Sequence, residues 1–156
     1  MKKSLFVFAG VLYCADRILK LFVLTTGQIH LAPWLILAPH INTHPYMMLG
    51  ISSTVDQWMV ILMPITHALL IMTLVVAASV SNNYRLWLAV PFVIVGFLSN
   101  AIDCVLYGGV IDPITFPVFG AWWTAINIAD LCIMIGYAFL AMALKRSEPL
   151  LSRRLA

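Results

Sequence analysis

Four long apolar stretches dominate the chain, separated by shorter connections that are polar or aromatic. They cover about residues 4–24, 58–80, 86–107 and 124–144. Each stretch has close to the ~20 residues that an α-helix needs to cross the hydrocarbon core of a bilayer. Because lipid cannot satisfy backbone polar groups, each stretch is predicted to be helical. The pattern predicts an all-α integral membrane protein, in which residues 1–156 form a single membrane domain with four transmembrane helices.

Basic residues lie on one side of this arrangement. Lys and Arg precede the first stretch and follow the last, and Arg85 lies in the short turn between the second and third stretches. The connections 25–57 and 108–123 contain no Lys or Arg. By the positive-inside rule, both termini, including the tail 145–156, are cytoplasmic and the two connections lie outside. The outer connections are rich in apolar and aromatic residues. We therefore expect a small interfacial cradle there, with short β-structure between helices 1 and 2.

The composition supports a membrane protein and excludes several other classes. Hydrophobic residues make up 63% of the chain and charged residues 10%, against roughly 45–50% and about 25% in soluble domains. A soluble globular domain and a disordered chain are excluded, and the nine Lys and Arg residues form no basic face for nucleic acid. The three cysteines include no CxxC pair, so neither a disulfide framework nor a zinc site is indicated. We expect a monomer in contact with membrane lipids, without a metal or cofactor.

Polar side chains inside the predicted helices are the candidate functional residues. A charge at the centre of a transmembrane helix costs about 2.5–3.5 kcal/mol on insertion scales, so such groups face a protein interior and usually carry function. The residues of this kind are Asp16, Arg17, Lys20, Asn100, Asp103, Asn127 and Asp130, with Asp112 just beyond helix 3. Asp130 is expected about six residues, or roughly 9 Å, below the outer face. All of these groups are predicted to converge in one layer near the outer membrane surface.

Asp112 and Asp130 are the candidate catalytic pair. Two carboxylates in one low-dielectric site do not easily both ionise, so one keeps its proton while the other is charged. In aspartic proteases, one such carboxylate deprotonates a water molecule and the other protonates the carbonyl oxygen. Pro113 favours an extended backbone at Asp112, which suits a residue directed into a site. The spacing also allows a polar network whose role is to fix helix packing.

The segments around these residues resemble the conserved blocks of signal peptidase II, the lipoprotein signal peptidase family. Residues 96–103 match its G-x-x-G-N-x-x-D block except at Ser99, residues 108–112 match its G-x-V-x-D block, and residues 127–130 match its N-x-A-D block. The resemblance implies an intramembrane aspartic endopeptidase with four helices. It also implies cleavage of diacylglyceryl-modified prolipoproteins before the lipidated cysteine, at the outer face of a bacterial inner membrane.

The resemblance also implies roles for individual residues. Asp112 and Asp130 match the two catalytic aspartates. The residues that match supporting or substrate-binding positions are Asn100, Asp103, Asn127, Asn42, Asp16 and Lys20. Two alternatives stay open, a lipoprotein-binding paralogue without catalytic activity and a small proton-coupled membrane subunit.

The chain departs from the family pattern beside Asp103. Cys104 stands where the family usually has arginine, Arg17 stands where glutamine is common, and His44 replaces a usual glycine. We therefore formulate the hypothesis that Arg17 supplies, from helix 1, the positive charge that is missing at Cys104.

Overall fold

The computed structural model describes residues 2–43, 56–81, 83–118 and 122–145. Within these ranges the helices are α1 (Lys2–Thr26), α2 (Asp56–Val80), α3 (Tyr84–Tyr107) and α4 (Ile128–Lys145). The strands are β1 (Ile29–Ala32), β2 (Leu35–Asn42), β3 (Val110–Val118) and β4 (Trp122–Ile126). The departure at His44 and the predicted tail beyond Lys145 lie outside the described residues.

The helices form a bundle that is apolar on its outside as well as inside. Among the described residues, α3 and α4 have the length and apolar composition needed to cross a membrane, and Ile65–Val80 of α2 is a shorter apolar helix. The buried core joins α2, α3 and α4 through Leu74, Ala78, Leu86, Ala89, Val90, Val93, Phe97 and Ala143. Large apolar side chains such as Phe6 and Val105 are exposed on the outer surface, as expected for a protein whose solvent is lipid. The prediction of a helical membrane protein is confirmed at this level.

The four strands form one antiparallel sheet in the order β1-β2-β3-β4. The prediction placed β-structure only between the first two helices, and in this it was incomplete, because β3 and β4 follow α3. Two prolines in β3 hide it from sequence analysis, since proline donates no ladder hydrogen bond. The register of β2 shifts between Leu37 and His40, whose partners Ile114 and Asp112 flank Pro113. This irregularity lets a central strand contain a residue without an N–H group.

The start of α4 also differs from the prediction. The apolar stretch predicted to begin the helix at Thr124 is extended, because Trp122–Ile126 pairs with β3 as strand β4. Aromatic and β-branched residues favour such a paired, half-buried strand. As a consequence α4 begins at Ile128, so Asp130 lies in its first turn and not six residues into a helix.

A tight turn connects α3 directly to β3. Gly108 ends α3 in the left-handed conformation, with φ at 72°, and its N–H donates to the carbonyl oxygen of Cys104. At the next residue, Gly109, a Cβ atom would lie 2.7 Å from the carbonyl oxygen of Asn42. The two glycines therefore allow β3 to start against β2 immediately after the helix, which brings Asp112 back over the C-terminal end of α3.

Candidate active site

Asp112 lies in the central strand β3 and is only 3% exposed. Its Oδ1 accepts a hydrogen bond of 2.6 Å from Asn127 Nδ2, and its Oδ2 accepts one of 3.3 Å from Asn42 Nδ2. The sheet supplies the second contact, because Asn42 in β2 pairs with Val110, two residues before Asp112 on the neighbouring strand. Side chains in this diagonal relation share one face of a sheet and can reach each other.

Asp130 lies in the first turn of α4 and belongs to a capping box. Asn127 Oδ1 accepts a hydrogen bond of 2.7 Å from the Asp130 N–H, and Asp130 Oδ2 accepts one of 3.2 Å from the Asn127 N–H. Asp130 Oδ1 also accepts a bond of 3.0 Å from Asn100 Nδ2. This reciprocal arrangement satisfies the free N–H groups at a helix start. The positive end of the helix dipole favours a negative charge at this position.

Asn127 connects the two carboxyl groups. Its side chain binds Asp112 and the carbonyl oxygen of Ile111, while its backbone N–H binds Asp130. Burial, followed by the negative charge of Asp130, raises the pKa of Asp112 to about 7, although hydrogen bonds from Asn42 and Asn127 oppose the shift. This direction agrees with the expectation that two carboxyl groups in one low-dielectric site do not easily both ionise.

A buried charge cluster lies beneath this pair. Lys20 Nζ contacts Asp16 Oδ2 at 2.8 Å, Asp103 Oδ2 at 2.7 Å and Asn100 Oδ1 at 3.1 Å. Asp16 and Lys20, four residues apart in α1, therefore form a buried ion pair. Arg17 forms an ion pair with the other oxygen of Asp103, which is the contact that the hypothesis about Arg17 requires.

Asp16 does more than pair with Lys20. Its Oδ1 accepts a hydrogen bond of 3.0 Å from the N–H of Ala129, in the first turn of α4, and its Oδ2 accepts one of 2.6 Å from Ser99 Oγ. Asp16 of α1 therefore helps to hold the helix that carries Asp130. In the sequence, Ser99 stands out only as a departure from a glycine position. Its signal was a hydroxyl group beside Asn100 in an otherwise apolar helix.

The structure brings all eight predicted site residues into one polar network with Arg17, which the sequence also singled out, and it adds Ser99. The network runs from Asn42 and Asp112 through Asn127, Asp130 and Asn100 to Lys20, Asp16 and Asp103. Over the part of the chain that the structure describes, no group of three or more His, Cys, Asp or Glu side chains is arranged to hold a metal ion. Two carboxyl groups of the network, those of Asp112 and Asp130, share Asn127 and are chemically able to accept and donate protons.

The chain is similar to proteins of known family and known structure. Residues 8–146 match the family described as signal peptidase (SPase) II. A lipoprotein signal peptidase of Paraburkholderia phymatum is 49% identical over 53 residues, which are 33% of this chain and 31% of that protein. A lipoprotein signal peptidase of Burkholderia mallei is 44% identical over 54 residues, which are 34% and 32% of the two chains. The matched stretch thus spans about a third of the length of these curated relatives.

Two solved structures share the fold over nearly the whole chain. One, a bacterial membrane enzyme determined by the in meso method at 2.3 Å resolution, has a TM-score of 0.74 at 25% identity, covering 94% of this chain and 90% of that one. A second bacterial membrane enzyme, at 1.9 Å, has a TM-score of 0.71 at 24% identity, covering 91% and 92%. Because the family match extends from α1 to the end of α4, this chain belongs to the signal peptidase II family.

Proposed function

We propose that this protein is an intramembrane aspartic endopeptidase that removes signal peptides from diacylglyceryl-modified prolipoproteins, cutting before the lipidated cysteine. The observation that carries the proposal is the pair of carboxyl groups, Asp112 and Asp130, both hydrogen-bonded to Asn127. Family membership and relatives described as lipoprotein signal peptidases support the substrate class.

The environments of the two carboxyl groups suggest their roles. Asp112, with its pKa raised to about 7, holds the proton and is the general acid. Asp130, at a helix N-terminus, is the general base. Asp130 takes a proton from water, whose oxygen attacks the scissile carbonyl carbon while Asp112 protonates the carbonyl oxygen.

The tetrahedral intermediate then collapses. Asp130 returns its proton to the leaving amine nitrogen as the C–N bond breaks, and Asp112 recovers its proton from a hydroxyl group of the intermediate. The products are a free carboxylic acid and the new N-terminal amine, and both side chains regain their starting states.

The same proposal includes the membrane arrangement. A single membrane domain crosses the bacterial inner membrane four times, with both termini in the cytoplasm and the dyad near the periplasmic face, as the distribution of Lys and Arg favours. The sheet lies at that face, where Leu31 and Trp34, 57% and 63% exposed in the β1–β2 hairpin, suit a membrane interface. The signal helix and acyl chains of a prolipoprotein enter from the bilayer, and the protein acts as a monomer.

A gel-shift cleavage assay tests the proposal. The purified protein, in detergent, is mixed with a diacylglyceryl-modified prolipoprotein, beside Asp112→Asn and Asp130→Asn, which preserve side-chain size. The wild type should cleave, and each variant should lose at least about 10³-fold in rate, within the range expected for removing a general acid or base.

Two outcomes contradict this proposal. A folded wild type that binds the lipidated peptide without cleaving it indicates a binding paralogue. Proton transport that depends on Asp130, without proteolysis, indicates a proton-coupled subunit.

Arg85→Gln is the matched control for this assay. Arg85 contacts the carbonyl oxygen of Met142 near the far end of α4, away from the dyad.

A further inference from the structure

Arg17 binds Asp103, a carboxylate outside the proposed catalytic pair. Its Nη1 pairs with Oδ1 of Asp103 and lies 3.4 Å from the carbonyl oxygen of Ser99. The Arg17 side chain is 15% exposed, whereas Asp103 is fully buried. The guanidinium therefore closes one side of the charge cluster. The carboxylate that it binds is fully buried, so water does not solvate it.

Asp103 also contacts β3, the strand that carries Asp112. Its Oδ2 accepts a hydrogen bond of 3.2 Å from the N–H of Ile111, the residue immediately before Asp112. The carbonyl oxygen of the same residue accepts a bond of 3.3 Å from Asn127. Ile111 is thus held at both of its backbone polar groups, and this fixes the backbone from which Asp112 projects.

Lys20 cannot replace Arg17. Its ammonium group has three N–H donors, and all three point to acceptors in Asp16, Asp103 and Asn100. With Arg17 present, the cluster contains two positive and two negative side chains. Without Arg17, Oδ1 of Asp103 has no cation and the buried cluster has an uncompensated negative charge, which is strongly unfavourable in a low-dielectric interior.

From these contacts we propose that Arg17 is a positioning residue for Asp112, acting through Asp103 and the backbone of Ile111. Arg17 supplies the orienting cation from α1 in a chain whose position 104 carries an uncharged cysteine. The catalytic consequence rests on the proposed function, but the structural link to Ile111 can be measured without any activity.

Hydrogen–deuterium exchange measures that link directly. In the full-length protein in detergent, Arg17→Gln should speed exchange of the Ile111 and Asp112 amides about tenfold, because local opening near the site becomes easier. Exchange in the turn before α3 should stay unchanged. Arg85→Gln, the matched control, should leave the Ile111 amide protected. Arg17→Met is the second variant, since it keeps an apolar stem if glutamine is poorly accommodated.

Kinetics with the lipidated prolipoprotein measures the consequence. Arg17→Gln should lower kcat by about tenfold to a hundredfold, the scale on which small misplacements reduce rates, with KM nearly unchanged. Arg17→Lys, which keeps the charge, should recover most of the lost kcat. Cys104→Arg added to Arg17→Gln should restore part of it by returning a cation to Asp103 from α3.

The proposal fails if folded Arg17→Gln or Arg17→Met keeps wild-type protection at Ile111, if kcat stays within twofold, or if Arg85→Gln has the same effect. It also fails if neither uncharged variant folds, since Arg17 is then required for the fold as a whole. A wild type without cleavage activity contradicts the proposed function, whereas the exchange result still decides whether Arg17 holds Ile111.

Discussion

The two carboxyl groups of the site are both hydrogen-bonded, but different routes, that is, different sets of contacts, orient them. Asp130 belongs to a capping box with Asn127, three residues away. Asp112 is held by Asn42, 70 positions away, and by Asn127, 15 positions away. One group is thus oriented largely by the helix that contains it, and the other by the meeting of a sheet with a helix bundle.

This difference teaches where the site is robust and where it depends on the whole fold. A capping box forms wherever the helix forms, because its partners are neighbours in sequence. The orientation of Asp112 needs the β2–β3 pairing, the start of α4 and the Asp103 contact all at once. Substitutions that alter one route should therefore affect the two carboxyl groups unequally.

Among substitutions outside the two aspartates, the largest effect on kcat is expected from Asn127→Ala, because Asn127 contacts both carboxyl groups. The variant loses the cap of α4 and the hydrogen bond to Asp112 together, so kcat should fall about a hundredfold or more. The free energy of unfolding should fall by about 1 kcal/mol, as is typical for a lost N-cap. Enzyme kinetics and thermal unfolding in detergent measure the two effects.

Asn83→Ala is the matched control for that prediction. Asn83 caps α3 at the other end of the bundle, where its side chain accepts from the Arg85 N–H and donates to the carbonyl oxygen of Ala143. It should lose a similar amount of stability and keep wild-type kcat. Equal losses of activity in both variants would show that Asn127 acts only through stability.

Asn42→Ala is expected to have an intermediate effect, restricted to the Asp112 route. The hydrogen bond from Asn42 lowers the pKa of Asp112, so its removal should raise that pKa above about 7. Because Asp112 acts in its protonated form, the alkaline decline of kcat/KM should move to higher pH. The maximal rate should fall about tenfold, because Asp112 loses one of the two side chains that orient it. A decline that moves to lower pH contradicts the assignment of the acid.

The smallest effect on kcat is expected from Gly96→Ala, which tests the position of Asp130 through the backbone of the preceding residue, Ala129. A Cβ at Gly96 would lie 2.6 Å from the carbonyl oxygen of Ala129, next to Asp130, whereas one at Gly136 would lie 2.5 Å from the side chain of Val93. Both alanine variants should lose about 1–3 kcal/mol of stability through overpacking. Only Gly96→Ala should also lower kcat, by a few-fold. Equal kcat values in the two variants contradict this prediction.

The same contrast explains what could be predicted from the sequence. The i,i+3 spacing of Asn127 and Asp130 predicts that they lie together, and the structure shows them in contact, with Asn127 as the cap just before α4. Charges in apolar stretches pointed to Asp16 and Lys20 because an isolated charge is unfavourable in lipid. The departure at Cys104 directed attention to Arg17, whose contact with Asp103 is present.

Long-range pairing explains what could not be predicted. The register that places Asn42 beside Asp112 depends on tertiary contacts, and Pro113 and Pro117 argue locally against a central strand. The first turn of α4 was misplaced because Trp122–Ile126 is as apolar as a helix start but is paired with β3. Ser99 showed only as a departure from a glycine, since its hydrogen bond to Asp16 joins two helices.

The most direct test of the dyad is the pH dependence of kcat/KM for cleavage of a lipidated prolipoprotein by the wild type. In the proposed mechanism Asp112 holds the proton that the carbonyl oxygen receives, and burial raises its pKa to about 7. The profile should therefore be bell-shaped, with kcat/KM falling as the pH rises through about 7. A rate that stays constant or increases between about pH 7 and pH 9, with the protein folded throughout, contradicts a dyad in which Asp112 is the acid.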